Sequence, residues 1–171
     1  MEQVILVDEQ DNVVGTMDKL EAHLKGVLHR AFSVLIFNSK GELLLQKRAA
    51  GKYHSGGLWT NSCCSHPKPG EATVDAASAR LKFEMGIDLQ PQFAYKFIYK
   101  SDLDKNMIEH ELDYVFTAVF DGTPVINTDE VEDWKFVNVD ELRADIVRHP
   151  NHYTVWFRLI IEQSHLKQII A

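Results

Sequence analysis

Apolar positions fall into short runs of strand-like or helix-like period, and the breaks between them divide the chain into elements. Val4-Ile5-Leu6-Val7 and Val13-Val14-Gly15-Thr16, parted by Gln10-Asp11-Asn12, predict two strands joined by a turn. A short helix is expected next, with Asp18 as its cap, Leu20 and Leu24 facing inward, and Lys19 and His23 at i and i+4 on another face. Residues 31–38 and 42–47, separated by Ser39-Lys40-Gly41, read as a hairpin. The first of these strands is nearly all apolar, which predicts a central position. Residues 49–59, with Gly51, Gly56 and Gly57, read as a loop, and Pro67-Lys68-Pro69-Gly70 as a second break. From Glu71 to Met85 the period is helical, with Val74, Ala77, Leu81 and Met85 on one face and Gly86 at the stop. Strands are expected again at 95–100, 111–120 and 134–137, then helices at 140–148 and 155–170. Strands and helices mixed without βαβ alternation predict an α+β protein, or an α/β/α sandwich around a mixed sheet.

A chain of 171 residues, 45% hydrophobic and 25% charged, is expected to form one domain spanning 1–171, with a core that needs no staples. The net charge of −7, from 18 basic and 25 acidic residues, argues against a nucleic-acid surface but not against a local basic pocket for a small anion. The first residues carry no basic leader, and no apolar run approaches the roughly twenty residues of a membrane span, so the expectation is a cytoplasmic protein. The two cysteines, Cys63 and Cys64, are neighbours, and a bridge between neighbours is strained. Reduced thiols are expected.

Those thiols begin the candidate chemistry. On a strand, alternation puts Cys64 and His66 on one face and Cys63 on the other, where it is inert. His66 is placed to depress the Cys64 pKa or to share a metal with it; burial as a small hydrophobe is the other reading. Glu109 and Glu111 share a face in the same way, continued by Asp113. An exposed acidic edge strand would look similar, but Leu112, Tyr114, Val115 and Phe116 mark a half-buried strand whose acids need a cation opposite. His23, His29 and His66 are available imidazoles, among eight histidines in all. Three nitrogens with two carboxylates exceed a four-ligand structural zinc site and favour a five- or six-coordinate ion such as Mn²⁺, Mg²⁺ or an expanded Zn²⁺ site. Lys19, Lys47, Arg48, Lys52 and Arg80 are candidates for an anion pocket, or ordinary surface charge. Arg80 and Glu84, at i and i+4, can pair on a helix or present a phosphate contact and a ligand for a phosphate-bound Mg²⁺. Tyr99, in phase with Tyr95 and Phe97, and Trp156, near Leu159 and Ile160, read as core or as an aromatic face over a cationic intermediate.

The run Leu28-His29-Arg30-Ala31-Phe32-Ser33, the segment Thr60-Asn61-Ser62-Cys63-Cys64-Ser65-His66-Pro67 and the strand Glu109-His110-Glu111 resemble the type I isopentenyl-diphosphate isomerases over nearly the whole chain. That resemblance implies a Nudix-type α/β/α sandwich that interconverts isopentenyl and dimethylallyl diphosphate. It implies a metal site of His23, His29, His66, Glu109 and Glu111, a catalytic pair of Cys64 and Glu111 with Tyr99 assisting, and Trp156 facing the hydrocarbon. Lys19, Arg48, Lys52 and Arg80 fall on its diphosphate-binding positions, and Glu84 on the position that helps hold a substrate-linked Mg²⁺. The implied partner is a small isoprenoid diphosphate, with no nucleic acid, membrane or obligatory protein partner. Two departures stand out. Aligned on Gly86, a hydrolytic Nudix box keeps Glu71 and Glu84 but meets Ala79, Arg80 and Phe83 where its arginine and two acids belong, which favours isomerisation over hydrolysis. Ser55-Gly56-Gly57 replaces the aromatic-Pro-Gly often found before the Trp-Thr-Asn segment.

Overall fold

The computed structural model describes residues 1–163. In chain order its strands and helices are β1 (Gln3–Val7), β2 (Val13–Asp18), α1 (Lys19–Lys25), β3 (His29–Phe37), β4 (Leu43–Arg48), β5 (Trp59–Thr60), β6 (Cys63–Ser65), α2 (Thr73–Met85), β7 (Gln92–Asp102), β8 (Ile108–Val119), β9 (Val131–Val137), α3 (Val139–Arg148) and α4 (Val155–Glu162). A 3₁₀ turn at Pro150–His152, which the apolar pattern does not announce, joins the last two helices.

The apolar run of β3 is central, as its composition requires. One edge pairs in parallel with β8 along its whole length, and antiparallel β1, β6 and β4 share the other. Beyond them lie β7 on β8, β9 and β5 on β4, and β2 on β1. The sheet is therefore mixed, and alternation gives it two dry faces. Phe32, Val34 and Ile36 pack with Ala76, Ala77, Leu81 and Met85 of α2. Leu35 and Phe37 pack with α3 and α4 through Leu142, Ile146, Phe157 and Ile160. This is an α/β/α arrangement. Helix α2 stops at Gly86, whose φ of 66° is the left-handed cap that glycine adopts without strain. A Cβ there would also lie 2.6 Å from the Val125 carbonyl oxygen.

The main departures from the pattern lie in the short helices. Asp18 caps α1 by accepting from the Glu21 amide, as expected, but Leu20 and Leu24 point to solvent, and the buried residues are Ala22 and His23. Seven residues bury too little apolar surface to orient themselves; the helix is turned by what its histidine packs against. Helix α4 ends at Glu162, with Gln163 already extended, and the expected continuation to Ile170, including His165, falls outside the described residues.

Candidate active site

The α3/α4-facing side of the sheet changes character along its strands. On β3 the same face runs from His29 through Ser33 to Leu35 and Phe37, and on β8 from Glu109 and Glu111 through Asp113 to Val115. The polar end lies beneath α1 and the 49–58 loop and forms a cavity of about 310 Å³, within the range of small-molecule sites. Lys19, Arg48, Lys52, Arg80, Cys64, His66, Tyr99, Glu109, Glu111 and Trp156 all line it. β6 and β8 flank β3 on opposite sides, so Cys64, paired with Ser33, and Glu111, paired with His29, approach the cavity from different walls.

Strand β8 is no edge. It is covered on both sides, and Glu109, Glu111 and Asp113 are all buried. One oxygen or nitrogen from each of His23, His29, His66, Glu109 and Glu111 lies within 4.8 Å of all the others. His23 Nδ1 is 2.7 Å from the Lys19 carbonyl and His29 Nδ1 is 2.8 Å from that of Val27. A carbonyl only accepts, so both Nδ1 atoms carry the proton and both Nε2 lone pairs face the cluster. His23 Nε2, His29 Nε2 and Glu109 Oε2 are buried without a hydrogen-bond partner. Orphaned buried atoms of this kind typically cost about 1–3 kcal/mol each. A divalent ion would engage all three, so the donor set fits a metal.

Electrostatics point the same way. Burial pulls the His29 pKa down to about 4 and, with the neighbouring imidazoles, holds His66 well below its usual value, leaving both neutral as ligands must be. His23 keeps a raised pKa because the nearby Glu109 charge, with the Lys19 carbonyl at its Nδ1, outweighs its burial. Burial and then the Glu109 charge push Glu111 well above the carboxylate range. Glu109 is held well below it, since the neighbouring Glu111 carboxyl and the His23 and His54 rings overcome its own burial. The two neighbouring carboxyls are thus pushed to opposite sides of the usual range, so that they do not both ionise together. Burial raises the Cys64 thiol to about 12, with Arg48 opposing. The expected depression of Cys64 by His66 is not found, because a neutral imidazole supplies no positive charge.

Cys63 points away, into the α2 core, with its Sγ 4.0 Å from Glu84. Glu84 is not in the cavity wall: it is buried behind it, bonded to the Arg80 guanidinium and 3.2 Å from Gln46 Nε2. The i,i+4 pair therefore forms, and Arg80 alone reaches the cavity. Glu130 accepts from both Lys52 and Arg80, and Lys19 pairs with Glu2 at 2.6 Å while sitting over the Tyr53 ring. Arg48 donates to the His54 carbonyl at 3.0 Å and its guanidinium lies 5.3 Å from the centre of the Trp156 ring. Lys47 does not join them; its ammonium lies 3.7 Å from Glu132 of β9. Tyr53, His54, Ser33, Asp129 and Glu130 also line the cavity. Tyr53 and His54 lie in an aperiodic loop where spacing carries no signal, whereas Ser33 was in phase with His29 on β3.

A parallel β3–β8 pair at the centre of a mixed sheet, α2 ending at Gly86, and a polar cavity at one sheet end define a Nudix-type site, and residues 27–157 match the NUDIX domain family. Solved structures agree on the fold: the Deinococcus radiodurans protein DR0079 superposes with a TM-score of 0.70 over 86% of this chain and 90% of its own at 19% identity. A MutT protein from Methanosarcina mazei does so at 0.68, over 83% and 95%, at 18% identity. Sequence relatives are more specific. Isopentenyl-diphosphate Delta-isomerase 2 of Photorhabdus laumondii is 55% identical over 160 residues, 94% of this chain and 90% of that one. The protein of the same name from Aromatoleum aromaticum is 50% identical over 162 residues, 95% and 86%. The chain belongs to the type I isopentenyl-diphosphate Delta-isomerase family of the Nudix superfamily.

Proposed function

We propose that this chain, acting as one Nudix-type isomerase domain, interconverts isopentenyl and dimethylallyl diphosphate. The observation that carries the reading is a single cavity bounded by a thiol and a buried carboxyl on different walls, with four cationic side chains and an indole between them. Moving a double bond by one carbon needs a proton delivered to one carbon and another withdrawn from its neighbour, with a tertiary cationic centre between the two events. Cys64 and Glu111 are the groups for those transfers, and Tyr99, buried in the same cavity and opposite Glu111 in the β7–β8 register, assists the proton movement at Glu111. Lys19, Arg48, Lys52 and Arg80 receive the diphosphate and anchor the hydrocarbon at a fixed depth, so that remote binding energy orients the alkene. The Trp156 ring offers its face to the cationic centre, an attraction of about 0.5–2 kcal/mol, without a lone pair to alkylate. The bound diphosphate substrate, filling the cavity, would displace the water that could otherwise capture the cation.

His23, His29, His66, Glu109 and Glu111 are the residues that would hold a divalent ion, of which Mn²⁺, Zn²⁺ and Mg²⁺ are the candidates. When bound, such a cation would supply a fixed positive charge favouring the carboxylate form of Glu111. Glu84, tied to Arg80 behind the wall, is assigned to a second Mg²⁺ that accompanies the diphosphate; this requires Arg80 to turn from Glu84 toward the phosphate. With three of the hydrolytic box positions occupied by Ala79, Arg80 and Phe83, the chain lacks the acids for phosphate release. Among the described residues no helix is long and apolar enough to cross a membrane. Two free thiols suit a reducing, cytoplasmic setting.

The test uses acid lability, because an allylic diphosphate ionises in acid and its homoallylic isomer does not. Incubation with isopentenyl diphosphate should generate an acid-labile product. Chelation should suppress it at least about 10²-fold and a divalent ion should restore it, ranking the metals. Undiminished conversion in excess chelator would remove the metal from the account.

A further inference from the structure

His54 is buried in the cavity wall, yet it is none of the five clustered ligands. Its Nε2 lies 3.1 Å from Glu109 Oε1, at ion-pair distance but off the line of a ring N–H hydrogen bond, and the same oxygen faces His23 Nε2 at 3.5 Å, whereas Glu109 Oε2 has no partner. The two oxygens of Glu109 are thereby divided between different tasks. On the other side of the ring, His54 Nδ1 is 3.1 Å from Ser55 Oγ. A hydroxyl can donate to that nitrogen, which leaves the proton on Nε2, the ring nitrogen nearest Glu109. We propose that His54 is a positioning residue of the metal centre: its Nε2, 3.1 Å from Oε1 of Glu109, fixes that oxygen by close polar contact so that Oε2 is left for the divalent ion.

The surrounding loop is built to place this ring. Ser55 takes a φ of 53°, in the left-handed region that an ordinary side chain rarely occupies, and its amide is fixed by Asp104 Oδ1 at 3.1 Å. Gly56 passes so close to Ala50 that a Cβ would sit 2.5 Å from its carbonyl oxygen. The ring is wedged edge-on between Tyr53, 4.2 Å away, and Trp156, 5.6 Å away. Its own carbonyl accepts from Arg48, so the histidine is braced by a residue of the anion wall. The sequence Tyr53-His54-Ser55-Gly56-Gly57, which departs from the aromatic-Pro-Gly pattern, thus forms a loop that turns one imidazole inward. Outer hydrogen-bond partners of metal ligands typically contribute about 10–100-fold in metal affinity.

This inference rests on the reading of the five-residue cluster as a metal site, and the experiment separates the two. The apparent Kd for Mn²⁺ is measured by competition with a chelator for the wild type, His54→Leu and His54→Gln, with thermal melting to check that each variant is folded. His54→Leu fills the space without an N–H and should weaken Mn²⁺ about 10–100-fold. His54→Gln, whose amide can place an N–H at similar depth, should recover most of that loss. A wild-type Leu variant affinity would overturn the role of His54, and equal losses in both variants would assign it to ring packing instead, which overturns it equally. Failure of the wild type itself to bind Mn²⁺ would strike the metal reading rather than this refinement of it.

Discussion

Cys64→Ala should lower isomerisation by about 10²–10⁴-fold, the usual worth of a positioned proton-transfer group, while leaving the melting temperature and diphosphate affinity near wild type. Folding should survive because Cys64 contributes only a small side chain at the rim of the α3/α4-side core and makes no hydrogen bond that another group depends on. Cys63→Ala provides the control one residue away. Its thiol lies in the α2-side core at 0% exposure, so the variant should keep most of its turnover and lose on the order of 1 kcal/mol of stability. Steady-state rates and thermal melts of both variants check the pair. Substantial turnover by Cys64→Ala would remove the thiol from the chemistry, and an activity loss in Cys63→Ala matching that of Cys64→Ala would show that the facing of the two cysteines is wrong.

Glu111→Gln should be at least as severe. The carboxyl is the second proton-transfer group, worth a further ~10²–10⁴-fold, and it also belongs to the ligand cluster, so divalent-ion affinity should fall with turnover. The fold should tolerate the change. Glu111 is pushed toward its neutral form by burial and by the Glu109 charge, and a neutral amide of the same shape removes that repulsion. The melting temperature without added metal should therefore hold or rise while kcat collapses. A Glu111→Gln protein that unfolds readily without metal would make the carboxyl a structural anchor, and one that turns over at a tenth of the wild-type rate or better would end its role as acid or base.

Much of this arrangement was legible in the sequence wherever period and burial agree. The hairpin of β3 and β4, the α2 stripe ending at Gly86, the opposed thiols and the paired glutamates all follow from alternation or the helical repeat, because long elements bury enough surface to fix their own orientation. Where burial is small, function overrides pattern. Helix α1 exposes Leu20 and Leu24 to place His23 among the other imidazoles, a choice made by the site and invisible in hydropathy. His54 was one histidine among eight until the loop between β4 and β5 turned it toward Glu109. Lys47 and Arg48 are adjacent on β4, and a register shift against β9 between them parts a lysine paired with Glu132 from a buried cavity arginine, which spacing alone does not reveal. Glu84 shows the opposite limit: its i,i+4 spacing from Arg80 was plain, but only the packing of Cys63 and Gln46 around it reveals that it sits behind the cavity rather than in it.

The most direct measurement is an NMR time course of the purified protein with isopentenyl diphosphate and a divalent ion in D₂O, following vinyl protons and phosphorus together. Conversion to dimethylallyl diphosphate with deuterium entering the product and both phosphorus resonances intact is the predicted result, because the proton gained by the alkene comes from groups that exchange with solvent. Release of phosphate, or unchanged vinyl signals with a folded and metal-loaded protein, would contradict it.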